Sequence, residues 1–132
     1  MKWSDEYATG IKRIDNQHKT LFNMAEDFRL ALDEGGGSRF YGMLLESLDR
    51  YARSHFGYEE QCMEEYHCPV AQKNKDAHEH FLEILTTYKQ QYTESGFDVT
   101  EAYKLLDIME KWLVNHICHT DLQLKDYAVK DE

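Results

Sequence analysis

The sequence predicts an all-α protein, an antiparallel up-down-up-down four-helix bundle with a short N-terminal arm. Three observations carry that expectation. Breakers cut the chain at Gly35-Gly36-Gly37-Ser38, at His67-Cys68-Pro69 and at Glu94-Ser95-Gly96-Phe97-Asp98. Between them run four stretches of roughly 20 to 30 residues whose apolar positions recur at helical steps. Short connections between helices of similar length make neighbours antiparallel, and the bundle is their natural packing. The 132 residues suit one domain, expected to span residues 1–132, with a core large enough to need no disulfide.

Each element follows from its pattern. The first segment, about Ile14 to Asp33, places His18, Leu21, Phe22, Ala25, Phe28 and Leu32 three or four residues apart. The second, about Ser38 to Tyr66, repeats the pattern with Leu44, Leu48, Ala52, His55, Glu59 and Met63, and Ser38 is its expected N-cap. The third, about Val70 to Tyr92, runs through Asn74, His78, Phe81, Leu82 and Leu85. The fourth, about Val99 to Asp126, runs through Leu105, Met109, Trp112, Leu113, His116 and Ile117.

Composition narrows the function classes. Acidic residues outnumber basic ones by 25 to 15, for a formal net charge of −10. Nucleic acid and anionic membranes demand a basic footprint, so neither is an expected partner. No apolar run approaches the length of a membrane span, and the opening Met1-Lys2-Trp3-Ser4 has no leader-like apolar region. Three cysteines suit a reducing compartment, so the cytoplasm is the expected location. An acidic bundle of this size can be monomeric.

Polar groups interrupt the inward stripes. His18 lies on the first segment, His55 and Glu59 on the second, His78 on the third and His116 on the fourth. His55 and Glu59 are four residues apart and share one helix face. Asp121 follows His116 by five residues, which overshoots one turn but leaves its carboxylate within reach of the imidazole. A lone histidine on an apolar face is usually a core residue satisfied by one hydrogen bond. Four histidines and two carboxylates spread over all four stripes are different. Burying them without a shared partner would cost more than a domain's net stability of about 5–15 kcal/mol. A metal centre removes that cost. Imidazole with carboxylate suits iron, with zinc and manganese as competitors, and two carboxylates among several imidazoles suit two metals bridged by carboxylate.

These residues carry a resemblance. Ile14-Asp15-Asn16-Gln17-His18-Lys19-Thr20-Leu21-Phe22, His55-Phe56-Gly57-Tyr58-Glu59-Glu60, His78-Glu79-His80-Phe81-Leu82 and Trp112-Leu113-Val114-Asn115-His116, with Asp121 following, resemble the successive motifs of the hemerythrin family. Lys2-Trp3 and Gly10-Ile11 are similar to its bacterial members. The resemblance covers essentially the whole chain and implies a non-haem site of two Fe ions that binds O2 reversibly. It implies that one iron takes His18 and His55 and keeps an open position. The other takes His78, His116 and a further histidine, and Glu59 and Asp121 bridge the two. Leu21, Trp112, Leu113 and Ile117 match the family's apolar O2 pocket, where a dry wall hinders entry of water. Storage, delivery and sensing of O2 all fit such a site.

One ligand position departs. The family's third segment carries two histidines four residues apart, and counting back from His78 reaches Asn74. Its amide can coordinate weakly through oxygen, hold a water on the metal or leave a vacancy, and the poor donor strength of a neutral amide favours the last two. Extra access of water or peroxide at this position motivates an alternative, peroxidase- or oxidase-like turnover, with binding of O2 favoured over catalysis. His67, His80 and His119 are expected to be bystanders. Cys62 is expected to pack rather than ligate, and no motif gives Cys68 or Cys118 a redox role.

Overall fold

The computed structural model describes residues 3–119 and 121–123. Four helices follow the expected segments: α1 (Lys12–Asp33), α2 (Gly37–Glu65), α3 (Ala71–Ser95) and α4 (Val99–His119). Cross-helix contacts set their directions. His55 on α2 meets Gln17 on α1, and Lys89 on α3 meets Glu46 and Asp49 on α2. Arg29 on α1 pairs with Asp107 and Glu110 on α4, and Tyr103 donates to Asp33. In each pair, later residues of one helix lie beside earlier residues of the other, so neighbours run antiparallel.

Local chemistry sets the ends. Gly36, not Ser38, stands at the N-cap of α2, and Ser38 falls inside the first turn with no side-chain cap bond. The glycine run is the reason, because it ends α1 and frees the next helix to begin two residues sooner. Gly35, at φ 84°, and the amide of Gly36, 2.7 Å from the Ala31 carbonyl, close α1 in a Schellman turn. The same turn closes α2, with His67 in the left-handed position at φ 53° and the Cys68 amide donating to Met63 at 2.9 Å. His67 is thus a helix stop, in a backbone region that a side chain seldom adopts.

Helix α4 ends at His119, short of the expected Asp126, and Asp121–Gln123 forms a 3-10 turn. Residues 124–132 lie outside the described residues. The N-terminal arm contains another 3-10 turn, Asp5–Tyr7, and is fastened by Asp15. The Asp15 carboxylate accepts from the Thr9 amide and hydroxyl, both at 2.8 Å, and from the Gly10 amide at 3.2 Å.

The apolar interior has two parts. A large core runs through most of the bundle from Leu21, Phe56, Phe81 and Leu113 toward Leu32 and Leu45. A small one, Ile11, Ile14, Cys62, Met63 and Cys68, closes the end beside the α2–α3 turn. On α1, His18 falls between Ile14 and Leu21, and on α2, Glu59 falls between Phe56 and Met63. The polar groups therefore occupy a layer sealed by apolar side chains above and below. Leu48 is fully buried in the large core, away from that layer. Leu48→Ala is expected to destabilise the fold by about 2–5 kcal/mol in urea unfolding while leaving metal content unchanged.

Candidate metal centre

Every helix contributes to the layer. His18, Glu59, Asn74 and Asp121 are completely buried, and His55, His78 and His116 are nearly so. Glu59 lies at the centre. Its Oε2 is 3.2 Å from His18 Nε2 and 3.4 Å from His55 Nε2. Its Oε1 is 3.0 Å from His78 Nε2 and 3.5 Å from His116 Nε2. Asp121 divides in the same way, with Oδ2 3.2 Å from His18 Nε2 and Oδ1 3.0 Å from His116 Nε2. Each carboxylate thus offers one oxygen to each of two histidine groups.

The short turn after α4 explains how Asp121 arrives. Five residues along a continuous helix correspond to a rotation of about 140° away from His116, at 3.6 residues per turn. Ending α4 at His119 and tightening into the 3-10 turn returns the carboxylate to the imidazole.

Two polar neighbours orient imidazoles from outside. His55 Nδ1 donates to Gln17 Oε1 at 2.6 Å, and His78 Nδ1 donates to Glu60 Oε2 at 2.9 Å. A proton on Nδ1 leaves Nε2 with its lone pair facing the centre. Neither Gln17 nor Glu60 was singled out from the sequence as a site residue. Each is adjacent to one that was, and one helical step of about 100° sets it at the edge of the inward face. Glu60→Gln weakens the acceptor that orients His78, so metal affinity is expected to fall by about 10- to 100-fold in a competition titration.

The donor set is wrong for a purely hydrogen-bonded core. His78 Nε2 lies 3.1 Å from His116 Nε2, so two ring nitrogens face one another beside two carboxylates. Asp121 Oδ2 has no aligned hydrogen-bond donor among the described residues, although His18 is near, and His18 Nδ1 is likewise buried without a partner. Ring nitrogens and carboxylate oxygens that converge in this way, with Asp121 Oδ2 unpaired among them, fit a cation. Glu59, His78, His116 and Asp121 can hold one metal ion, and His18, His55 and Glu59 another. Imidazole and carboxylate together fit a first-row transition metal.

Charge in the metal-free layer is strongly redistributed. Burial pulls the His18 imidazole down, but Asp121 and Glu59 beside it raise it to about 9. His116 is likewise opposed by burial and raised to about 10 by Asp121 and Glu59. His55 is lowered to about 3, chiefly by burial. Burial alone would raise Glu59, yet the surrounding imidazoles, His55 foremost, hold it well below the usual carboxylate range.

An apolar cavity of about 10 Å3 adjoins the layer, lined by Leu21, Ala52, Phe56, Phe81, Met109, Trp112 and Leu113. That is room for about one small molecule of water size. Two of its walls touch the donors directly. Phe56 stacks on His78 with centroids 3.9 Å apart, and Trp112 stacks on His116 at 4.5 Å. Of the expected pocket residues, Leu21, Trp112 and Leu113 line this space, whereas Ile117 is buried in the core but does not. Ile117 is a full turn beyond Leu113, level with His116 rather than with the cavity.

The remaining expectations separate cleanly. Asn74 reaches the cluster itself. His67 and His80 are exposed, and the side chain of His119 lies outside the described residues. Cys62, Cys68 and Cys118 are free thiols, the first two packed in the small apolar cluster. Among the described residues no helix is long and apolar enough to cross a membrane.

Known proteins are similar to this chain in sequence and fold. The family described as the hemerythrin HHE cation binding domain matches residues 9–128. A bacteriohemerythrin of Pseudomonas aeruginosa is 33% identical over 119 residues, covering 90% of this chain and 75% of the relative. The hemerythrin of Phascolopsis gouldii is 31% identical over 123 residues, covering 93% and 89% respectively. A crystal structure of wild-type hemerythrin superposes with a TM-score of 0.85 at 23% identity, covering 96% of each chain. With the fold, the buried donor layer and the matched span in agreement, this chain belongs to the hemerythrin family.

Proposed function

We propose that this protein holds two non-haem iron ions in the polar layer of the bundle and binds O2 there. His18 and His55 would hold one ion and His78 and His116 the other, with Glu59 and Asp121 each offering an oxygen to both. One observation carries the reading: both carboxylates divide their oxygens between the same two histidine groups. A single ion beside His78 and His116 would leave the other two oxygens, Glu59 Oε2 and Asp121 Oδ2, unexplained, yet both face His18 at 3.2 Å. The names of the relatives, bacteriohemerythrin and hemerythrin, support O2 as the ligand.

When bound, the iron pair supplies reversible electron exchange with O2. The chain supplies the setting. Gln17 and Glu60 hold His55 and His78 in the tautomer that presents Nε2. Leu21, Trp112 and Leu113 set an apolar wall beside the donors, which disfavours water there. The net charge of −10 supports a role without nucleic acid or an anionic membrane as partner and, in a bundle of this size, a monomer; the low cysteine count supports a cytoplasmic setting.

Iron analysis with an absorption spectrum tests the reading. About two irons per chain are expected, with charge-transfer bands that appear under O2 and vanish on its removal over repeated cycles. An iron-free folded protein would overturn it. Iron that oxidises at once and consumes peroxide catalytically would replace reversible binding with the peroxidase- or oxidase-like alternative.

A further inference from the structure

We propose that Asn74 is a direct ligand of the second metal through its amide oxygen, which makes that position richer in oxygen donors than the first. The inference rests on the reading that the layer holds two metals. Asn74 is fully buried on α3, one turn before His78. Its inward amide atom lies 2.7 Å from His116 Nε2, 3.0 Å from Glu59 Oε1, 3.1 Å from His78 Nε2 and 3.2 Å from Asp121 Oδ1. Those four atoms are the donors that one metal would share.

The amide has two faces of nearly equal shape and opposite chemistry. With its NH2 group inward, Asn74 donates hydrogen bonds to the surrounding nitrogens and carboxylate oxygens of the metal-free chain. With Oδ1 inward, five lone-pair donors surround one point, an arrangement that a cation satisfies. A half-turn of the terminal amide converts one state into the other without moving the helix. The second position then has two nitrogens, from His78 and His116, and three oxygens, from Glu59, Asp121 and Asn74. The first has two nitrogens and two oxygens. A neutral amide oxygen is a harder and weaker donor than imidazole, so the second metal is held less tightly than a third histidine would hold it.

Anaerobic titration with ferrous iron, read as metal retained per chain and as affinity against a competing chelator, tests the proposal without any measure of activity. Wild-type protein is expected to take up two equivalents. Asn74→Leu keeps the size and removes the donor, so the second equivalent is expected to weaken by at least about 10- to 100-fold while the first is retained. Asn74→Asp keeps an oxygen in place and adds charge, so the second equivalent is expected to tighten about tenfold or more. Circular dichroism of each metal-free variant reports folding, and if the leucine variant does not fold, the aspartate variant decides alone. Two equivalents bound by Asn74→Leu with wild-type affinity, or no tightening in Asn74→Asp, would overturn the amide ligand and leave the two-metal reading intact. A wild-type chain that takes up no iron would overturn both.

Discussion

Glu59→Ala is expected to empty the metal centre. The carboxylate faces both histidine groups, so its loss removes a donor from each position at once. Metal content measured after loading and desalting should fall to a small fraction of the wild-type value. The fold should suffer as well. Glu59 is the anion that four buried imidazoles share, and removing one member of such a network costs about 3–5 kcal/mol, because the remaining charges stay buried without a partner. Glu59→Gln separates the two effects. It preserves shape and some hydrogen bonding, so its urea midpoint should lie between those of Glu59→Ala and wild type, while its metal content should match the alanine variant. A Glu59→Ala protein that keeps the wild-type metal content would remove the shared carboxylate from the account.

Metal loading should raise thermal stability by about as much as the most damaging single substitutions lower it. A ligand that binds only the folded state stabilises it by about 4 kcal/mol at about 1,000 times its Kd. In a domain of this size that corresponds to a rise in Tm of roughly 10 °C or more. The rise should grow with pH. His18 and His116 are raised to about 9 and about 10 in the metal-free fold, above the ordinary 6.5. Their stabilisation is complete below about 6.5 and is lost as pH rises through 9 to 10. His55 has the opposite sign: lowered to about 3, it withdraws stability as pH falls below 6.5. Metal binding needs neutral imidazoles, so it releases protons and strengthens over the same upward range. The gap in Tm between loaded and metal-free protein should therefore widen from pH 6.5 to 9 in differential scanning calorimetry. A gap that narrows would contradict the charge states described for His18 and His116.

Much of the site was legible because helices have a fixed period. His18, His55, Glu59, His78 and His116 lie on inward stripes, and the stripe alone puts them in a shared interior. Asp121 was legible as a carboxylate near His116 in the chain, but its five-residue spacing contradicts a continuous helix, so the turn that delivers it was not. Gln17 and Glu60 occupy the edges of the inward face, where periodicity does not distinguish an oriented hydrogen bond from a solvated side chain. His67 shows the converse, since its place in the chain does not reveal the left-handed conformation that ends α2.

The amino-acid sequence by itself determined the four helices, their order and the identity of the buried donors, because hydrophobic period and breaker residues act locally along the chain. Only the tertiary structure decided which oxygen meets which nitrogen. It divided Glu59 and Asp121 between two histidine groups, returned Asp121 through a 3-10 turn, and brought the amide of Asn74 to within 2.7 Å of His116. Those relations join residues far apart in the chain. They depend on the rotation and register of packed helices, which side-chain interlocking across the core sets and no local pattern encodes.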